Sequence, residues 1–168
     1  RGVSGVLDLG GQLVVVGDIS HQIDILGPGG RLPACQTKRT SPTQSVIVTN
    51  TSVATSGLSE RVVVTEQKIL GHILDPRNGQ PAIDWGVVTV AAEDPLVADV
   101  LSTALFVLGP EQGMQLAEGL ASIGVLFQEH PLQSRTSEVT CPTRAPGSSG
   151  AMHTNEKMRK LLFFYSKS

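Results

Sequence analysis

Aromatic side chains are scarce in this sequence, with one Trp, one Tyr and four Phe among 168 residues. A single-strand-binding surface needs rings on which bases stack, and a duplex-binding surface needs a basic stripe. Neither is available, because 13 Lys and Arg stand against 15 Asp and Glu, a formal charge of −2. No nucleic-acid partner is expected. Cysteine is as sparse. Cys35 and Cys141 are far apart and form no metal-ligand spacing, which leaves a disulfide and two free thiols equally open. No apolar run reaches the ~20 residues that a helix needs to cross a bilayer. The length suits one domain with a real core rather than two. The chain starts at Arg1 without an initiator methionine and reads as part of something longer, so a targeting segment would lie upstream.

Glycine and small polar residues are plentiful, and they punctuate short β-rich runs. Residues 5 to 17, GVLDLGGQLVVVG, read as strand, glycine turn and strand. SVIVTNTSVATSG and RVVVTEQ give two further β-rich stretches with a small-residue loop expected at 54 to 59. WGVVTVAAE gives another strand at 85 to 93. DPLVADVLSTALFVLGP then carries the signals of a helix over 95 to 108. Asp94 suits the N-cap, Pro95 the first helical position, and Gly109 with Pro110 the stop. A second helix over 111 to 120 and a strand in ASIGVLF follow. Residues 26 to 43 read as a long loop, and 130 to 156, rich in Ser, Thr, Pro and Gly, as a flexible segment. The apolar ending MRKLLFFYSKS either docks as a last strand or dangles. No internal repeat is present. These elements predict an α+β fold, a mostly antiparallel sheet packed against one long buried helix.

Few positions carry chemistry. The helix at 95 to 108 is apolar almost all round, which argues for burial; Asp99, Ser102 and Thr103 interrupt it. Asp99 and Thr103 are four apart and share a face. Even a neutral polar group buried without a partner costs roughly 2–7 kcal/mol, so a carboxylate here needs compensation. A hard cation such as Mg²⁺ would supply it. So would a neighbouring loop capped by Asp99, with Thr103 bonded to its own helix backbone. Ala54, Thr55, Ser56 and Gly57 are small enough for a ligand to approach the backbone, or form a hydroxyl-rich hairpin loop. Gly10 and Gly11 present the same choice between close approach and a tight turn. His72 precedes DPRNGQP, in which Asp75 begins a turn, Gly79 supplies a positive φ and Pro81 blocks a helix. It is a site residue or a satisfied turn histidine. No serine or cysteine stands beside it in a nucleophile motif, so a hydrolase triad is not indicated.

In this order, DLGGQL, ATSGLSER, HILDPRNGQP and ADVLSTALFVLGPEQG closely resemble the C-terminal half of the ApbE family, the FAD:protein FMN transferases. The resemblance runs from about residue 5 to residue 127 and is specific in His-x-x-Asp-Pro-x-x-Gly and Ala-Asp-x-x-x-Thr-Ala. It implies the C-terminal portion of an ApbE-like flavin transferase domain at 1–128 and a flexible or weakly ordered tail at 129–168. It also implies Mg²⁺-dependent transfer of FMN from FAD to a threonine hydroxyl of an acceptor flavoprotein, with release of AMP. By position, Asp99 and Thr103 match the family's metal ligands, and His72 and Asp99 are the expected catalytic residues. Gly10, Gly11, Ala54, Thr55, Ser56 and Gly57, together with His72, match the FAD pocket. The alternative is a non-catalytic FAD-binding module or an inactive truncated homologue. Many members are exported lipoproteins, so a periplasmic or membrane-anchored location is expected, its signal upstream of Arg1. A homodimer is compatible with the resemblance.

Overall fold

The computed structural model describes residues 2–28, 44–58, 62–64, 69–120, 122–130 and 151–163, with 62–64, 69, 70, 162 and 163 described by backbone alone. Cys35 and Cys141, most of the expected 26–43 loop and much of the 129–168 tail lie outside these residues.

The centre of the fold is β10 (Gly86–Ala92), buried along its whole length. Its run of Val and Ala does not alternate with polar residues because both faces of this strand are covered. On one side it pairs with β5 (Ser52–Gly57), which pairs in turn with β2 (Gln12–Val16) and then β1 (Gly5–Asp8). On its other side lie β11 (Gly124–Glu129) and β12 (Met152–Thr154), completing a six-stranded antiparallel sheet. Ala54, Val88, Val90, Val125 and Phe127 pack on one face against the long helix α1 (Pro95–Glu118). Val15, Val53, Ala91 and Leu126 pack on the other, against a second sheet of β3 (Ser20–Ile25), β4 (Gln44–Thr49) and β13 (Leu162–Phe163). The expected α+β class and its antiparallel sheet against a long helix are thus found.

Helix α1 starts as its sequence dictates. The Asp94 carboxylate accepts from the backbone N–H of Leu96 at 2.8 Å and of Val97 at 3.4 Å, and Pro95 opens the helix. The expected stop becomes a kink. Gly109 takes φ 79°, ψ 171°, and Pro110 restarts the helix in a new direction through Glu118. Pro110 has no N–H, so the carbonyl of Phe106 loses its helical partner. The indole Nε1 of buried Trp85 donates to that carbonyl at 2.9 Å, and its ring stacks on Phe106 at 5.2 Å. The chain's single Trp therefore repairs the break that Pro110 makes. Among the described residues no helix is long and apolar enough to cross a membrane.

Two local expectations change. The loop placed at 54 to 59 is strand as far as Gly57, and the β-rich stretch SVIVTNTSVATSG is two strands with a turn at Asn50, φ 47°. Ser, Ala and Gly have poor strand propensity, but here β2 and β10 flank the segment and the sheet decides. The second finding concerns residues 151–163, placed by sequence with the tail. They supply β12, helix α2 (Glu156–Leu161) and β13, and Met158 is fully buried in the core between the sheets. Asn155 holds this segment. Its Oδ1 accepts from the N–H of Val125 at 3.1 Å and of Met158 at 3.0 Å, and its Nδ2 donates to the Ile123 carbonyl at 2.7 Å.

Removing Asn155 strands an amide and a carbonyl of the β11 segment in the interior. Asn155→Ala is expected to lower the unfolding free energy by about 2–3 kcal/mol, measured by urea titration. A variant as stable as the parent would contradict this docking.

Candidate functional site

Four segments meet where β5 runs out beyond β2, around a groove of about 550 Å³. The first is the turn between β1 and β2. Leu9 N–H donates to the Gln12 carbonyl at 2.9 Å, and Gly10 and Gly11 take φ values of 74° and 99°, which only glycine adopts without strain. Thr55 N–H donates to the Gly11 carbonyl at 2.9 Å, pinning the turn beside the second segment, the end of β5. Gln12 Nε2 ties the same hairpin to the start of α1, donating to the Pro95 carbonyl at 2.7 Å and to Ser52 Oγ at 3.0 Å.

At the end of β5, alternate residues face opposite ways. Ser56 faces α1, and its Oγ lies 2.8 Å from Ser102 Oγ and 3.2 Å from Thr103 Oγ1. Thr55 faces away, its hydroxyl 2.9 Å from that of buried Thr89. Because Thr55 N–H points across the edge toward Gly11, strand alternation directs the Gly57 N–H the same way. A Cβ at Gly57 would stand 2.7 Å from Val87 Cγ1, so this position admits nothing larger.

The third segment bears His72. Leu58 packs against the bare backbone of Gly71, at the end of β7 (Ile69–Gly71), which pairs with β6 (Val62–Val64). That contact brings exposed His72 to the groove. The chain then forms a miniature hairpin of β8 (Leu74–Asp75) and β9 (Gln80–Pro81). Asp75 organises its turn as its Asp-Pro setting suggests. Its carbonyl accepts from Gly79 N–H at 2.8 Å and its carboxylate from Arg77 N–H at 2.9 Å. The Arg77 side chain grips the same carboxylate at 2.7–3.1 Å and also reaches the Val107 carbonyl of α1 at 3.4 Å. The turn is therefore braced on the helix just before its kink. Hydrogen bonds from the Arg77 side chain, and then its backbone N–H, hold the Asp75 carboxyl below its ordinary range.

The fourth segment is α1 itself, which is buried on one side only and not all round as expected. Asp99 and Thr103 stand on its exposed face, one turn apart, so burial places no demand on the Asp99 carboxylate. The structure thus gathers Gly10, Gly11, Thr55, Ser56, Gly57, His72, Asp99 and Thr103 around one groove. Ala54 is not among its lining residues; it is 1 % exposed, packed in the core under α1. Leu9, Gln12, Ile73 and Leu74 line the groove without having been singled out by sequence. Leu9 and Leu74 are large and exposed, which gives the groove apolar margins. Their signal was adjacency, since each stands within two residues of a residue that was picked.

The donor set suits a small hard cation. Among the described residues no three His, Cys, Asp or Glu converge on a metal position, so an all-protein cage is not built here. One carboxylate with a neutral hydroxyl is what Mg²⁺ accepts when waters and a phosphate complete its shell. Asp99 and Thr103 fit that requirement.

The model of the ApbE family matches residues 2–127. The chain belongs to the ApbE family. The FAD:protein FMN transferase of Treponema pallidum (strain Nichols) is 31% identical over 137 residues, covering 74% of this chain and 36% of that protein. The FAD:protein FMN transferase of Klebsiella pneumoniae (strain 342) is 38% identical over 84 residues, 49% of this chain and 27% of that one. The crystal structure of the ApbE protein of Thermotoga maritima superposes with a TM-score of 0.67 at 25% identity, covering 94% of this chain and 44% of that one. The flavinyl transferase ApbE of Pseudomonas stutzeri, in its apo form, superposes with a TM-score of 0.60 at 27% identity, over 93% and 42%. The chain therefore spans less than half the length of each of these relatives.

The Asp75–Arg77 pair has a defined pH signature. A carboxylate with a lowered native pKa contributes stability above its ordinary pKa and loses it as pH falls through the native value. Arg77→Ala is expected to melt slightly below the parent at neutral pH, the effect being small because the Arg77 end of the pair is exposed. The difference should close in acid, below the ordinary Asp value of about 4. Melting curves across that range check this, and a difference that widens in acid would contradict it.

Proposed function

We propose that the chain is the flavin-handling part of an Mg²⁺-dependent transferase. It moves FMN from FAD onto a threonine hydroxyl of an acceptor flavoprotein and releases AMP. The observation that carries this reading is the meeting of both family motifs, with His72 from one and Asp99 and Thr103 from the other, around a single groove. The names of the relatives support FMN transfer from FAD to protein.

In the reaction, the threonine oxygen forms a bond to the FMN-side phosphorus as the bridging P–O bond breaks. AMP leaves with the bridging oxygen, and the hydroxyl proton passes to solvent. Asp99 and Thr103 would hold Mg²⁺, which supplies charge stabilisation for the phosphates and the leaving oxygen. The bare backbone at Gly10, Gly11 and Gly57 lets the cofactor lie close, and the Gly57 N–H is aimed where a phosphate oxygen can accept. Leu9 and Leu74 give the ring system apolar surface. His72 serves to position flavin or phosphate beside the metal ligands. Arg77 and Asp75 keep that histidine's turn on the helix.

The test is direct. The purified chain is incubated with FAD, Mg²⁺ and an acceptor domain, and the acceptor is read by intact mass. The expected result is a gain of one FMN that EDTA abolishes and that Asp99→Ala slows by about 100-fold or more. Modification that survives Asp99→Ala would overturn the metal assignment. FAD bound without transfer would favour the non-catalytic flavin-binding module.

A further inference from the structure

Ser102 has no part in the proposed function, yet it lies directly behind the groove's lining, against Ser56. It is 1 % exposed, and its hydroxyl lies 2.9 Å from the Asp99 carbonyl and 2.8 Å from Ser56 Oγ. A carbonyl only accepts, and the reverse circuit, with Ser102 donating to Ser56, would have to close from Thr103 onto the same carbonyl at the longer 3.4 Å, so the single Ser102 proton is assigned to Asp99 O. The contact between Ser56 and Ser102 then has one sense, with Ser56 as donor. With its proton so placed, Ser56 meets Thr103 Oγ1, 3.2 Å away, only as acceptor. Thr103 must therefore be the donor in that contact. Its other inward acceptor, the Asp99 carbonyl at 3.4 Å, is farther and also lies within the helix. Either way the Thr103 proton turns into the protein.

From this chain of donors we infer that Ser102 is a positioning residue for a divalent cation held by Asp99 and Thr103. It fixes the sense of a relay running from Thr103 through Ser56 and Ser102 to the Asp99 carbonyl. The consequence is electronic. Thr103 offers lone pairs, not a proton, to the groove beside the Asp99 carboxylate. A hydroxyl that pointed its proton outward would repel a cation and shorten the supply of donors in a site with one carboxylate. The inference rests on the metal role proposed above for Asp99 and Thr103, and goes beyond it by assigning the residue that orients one ligand.

Losing the Ser102 hydroxyl frees the Ser56 proton. The nearest acceptor left to it is Thr103 Oγ1, so Ser56 then competes with the cation for a lone pair. This predicts a pattern that mere loosening of the core would not give. Mn²⁺ serves as the probe, counted free against bound by electron paramagnetic resonance on the full chain, with melting temperatures to confirm folding. Ser102→Ala is expected to weaken Mn²⁺ by about three- to tenfold, the worth of one hydrogen bond. Adding Ser56→Ala to Ser102→Ala removes the competing proton together with the acceptor that Thr103 uses, so the double variant should bind no more weakly than Ser102→Ala. Asp99→Ala should abolish binding in the same assay. If Ser102→Ala binds like the parent while Asp99→Ala does not bind, the positioning role is overturned and the metal reading stands. If the double variant binds more weakly than Ser102→Ala, the relay is overturned, because two losses have then simply added. If Asp99→Ala binds like the parent, the metal reading falls and this inference with it.

Discussion

The close seating of helix α1 on strand β5 is the contact on which the rest of the site depends. A helix packed on a sheet normally stands off by the length of its interlocking side chains, but β5 shows α1 only Ser52, Ala54 and Ser56 along that face. With so little side chain between them, Ser56 and Ser102 meet hydroxyl to hydroxyl at 2.8 Å. That approach carries Asp99 and Thr103 over the open end of β5, where Gly57 and the Gly10–Gly11 turn wait on the other side. Larger residues at Ala54 or Ser56 would lift the helix and take its carboxylate away from the groove.

The kink makes this seating compatible with a long helix. Before Gly109 the helix follows β5; after it, Gly113 sets its backbone against Phe127, where a Cβ would stand 2.7 Å from the ring. The break exposes a carbonyl, and Trp85 closes it from the neighbouring strand's entry. Arg77 reaches the next carbonyl, at Val107, and so joins the His72 turn to the same point. The carbonyl freed by the proline and the one after it thus become the anchor points for Trp85 and for the functional loop. One irregularity in the helix organises two of the four segments around the groove.

Local chemistry in the sequence was enough to read the start of α1, its break at Gly109 and the turn after Asp75, because each depends on neighbours within four residues. The second half of β5 was read as a loop for the opposite reason. Ala54 and Gly57 are weak strand formers; what keeps the segment a strand is pairing with residues 12–14 and 87–92, far away in sequence. Asn155 was equally hidden, since its partners Ile123 and Val125 lie about thirty positions upstream. In the site, the motif residues stood out because their types are unusual in their settings. Ala54 shares a motif and a strand face with Ser56, but it lies farther in, where α1 covers it, and is part of the core. Ser102 was noticed only as an interruption, and its orienting position emerges from hydrogen-bond senses that no spacing reveals.

If the hairpin turn, the end of β5, the His72 segment and α1 form one flavin site, FAD will perturb all four at once. In backbone amide shifts followed by NMR during FAD titration, residues 9–12, 55–57, 72–74 and 99–103 are expected to shift together with one saturation curve. Shifts confined to the opposite face of the sheet, around Ile23 to Gly27, or no shift at saturating FAD, would contradict a single site.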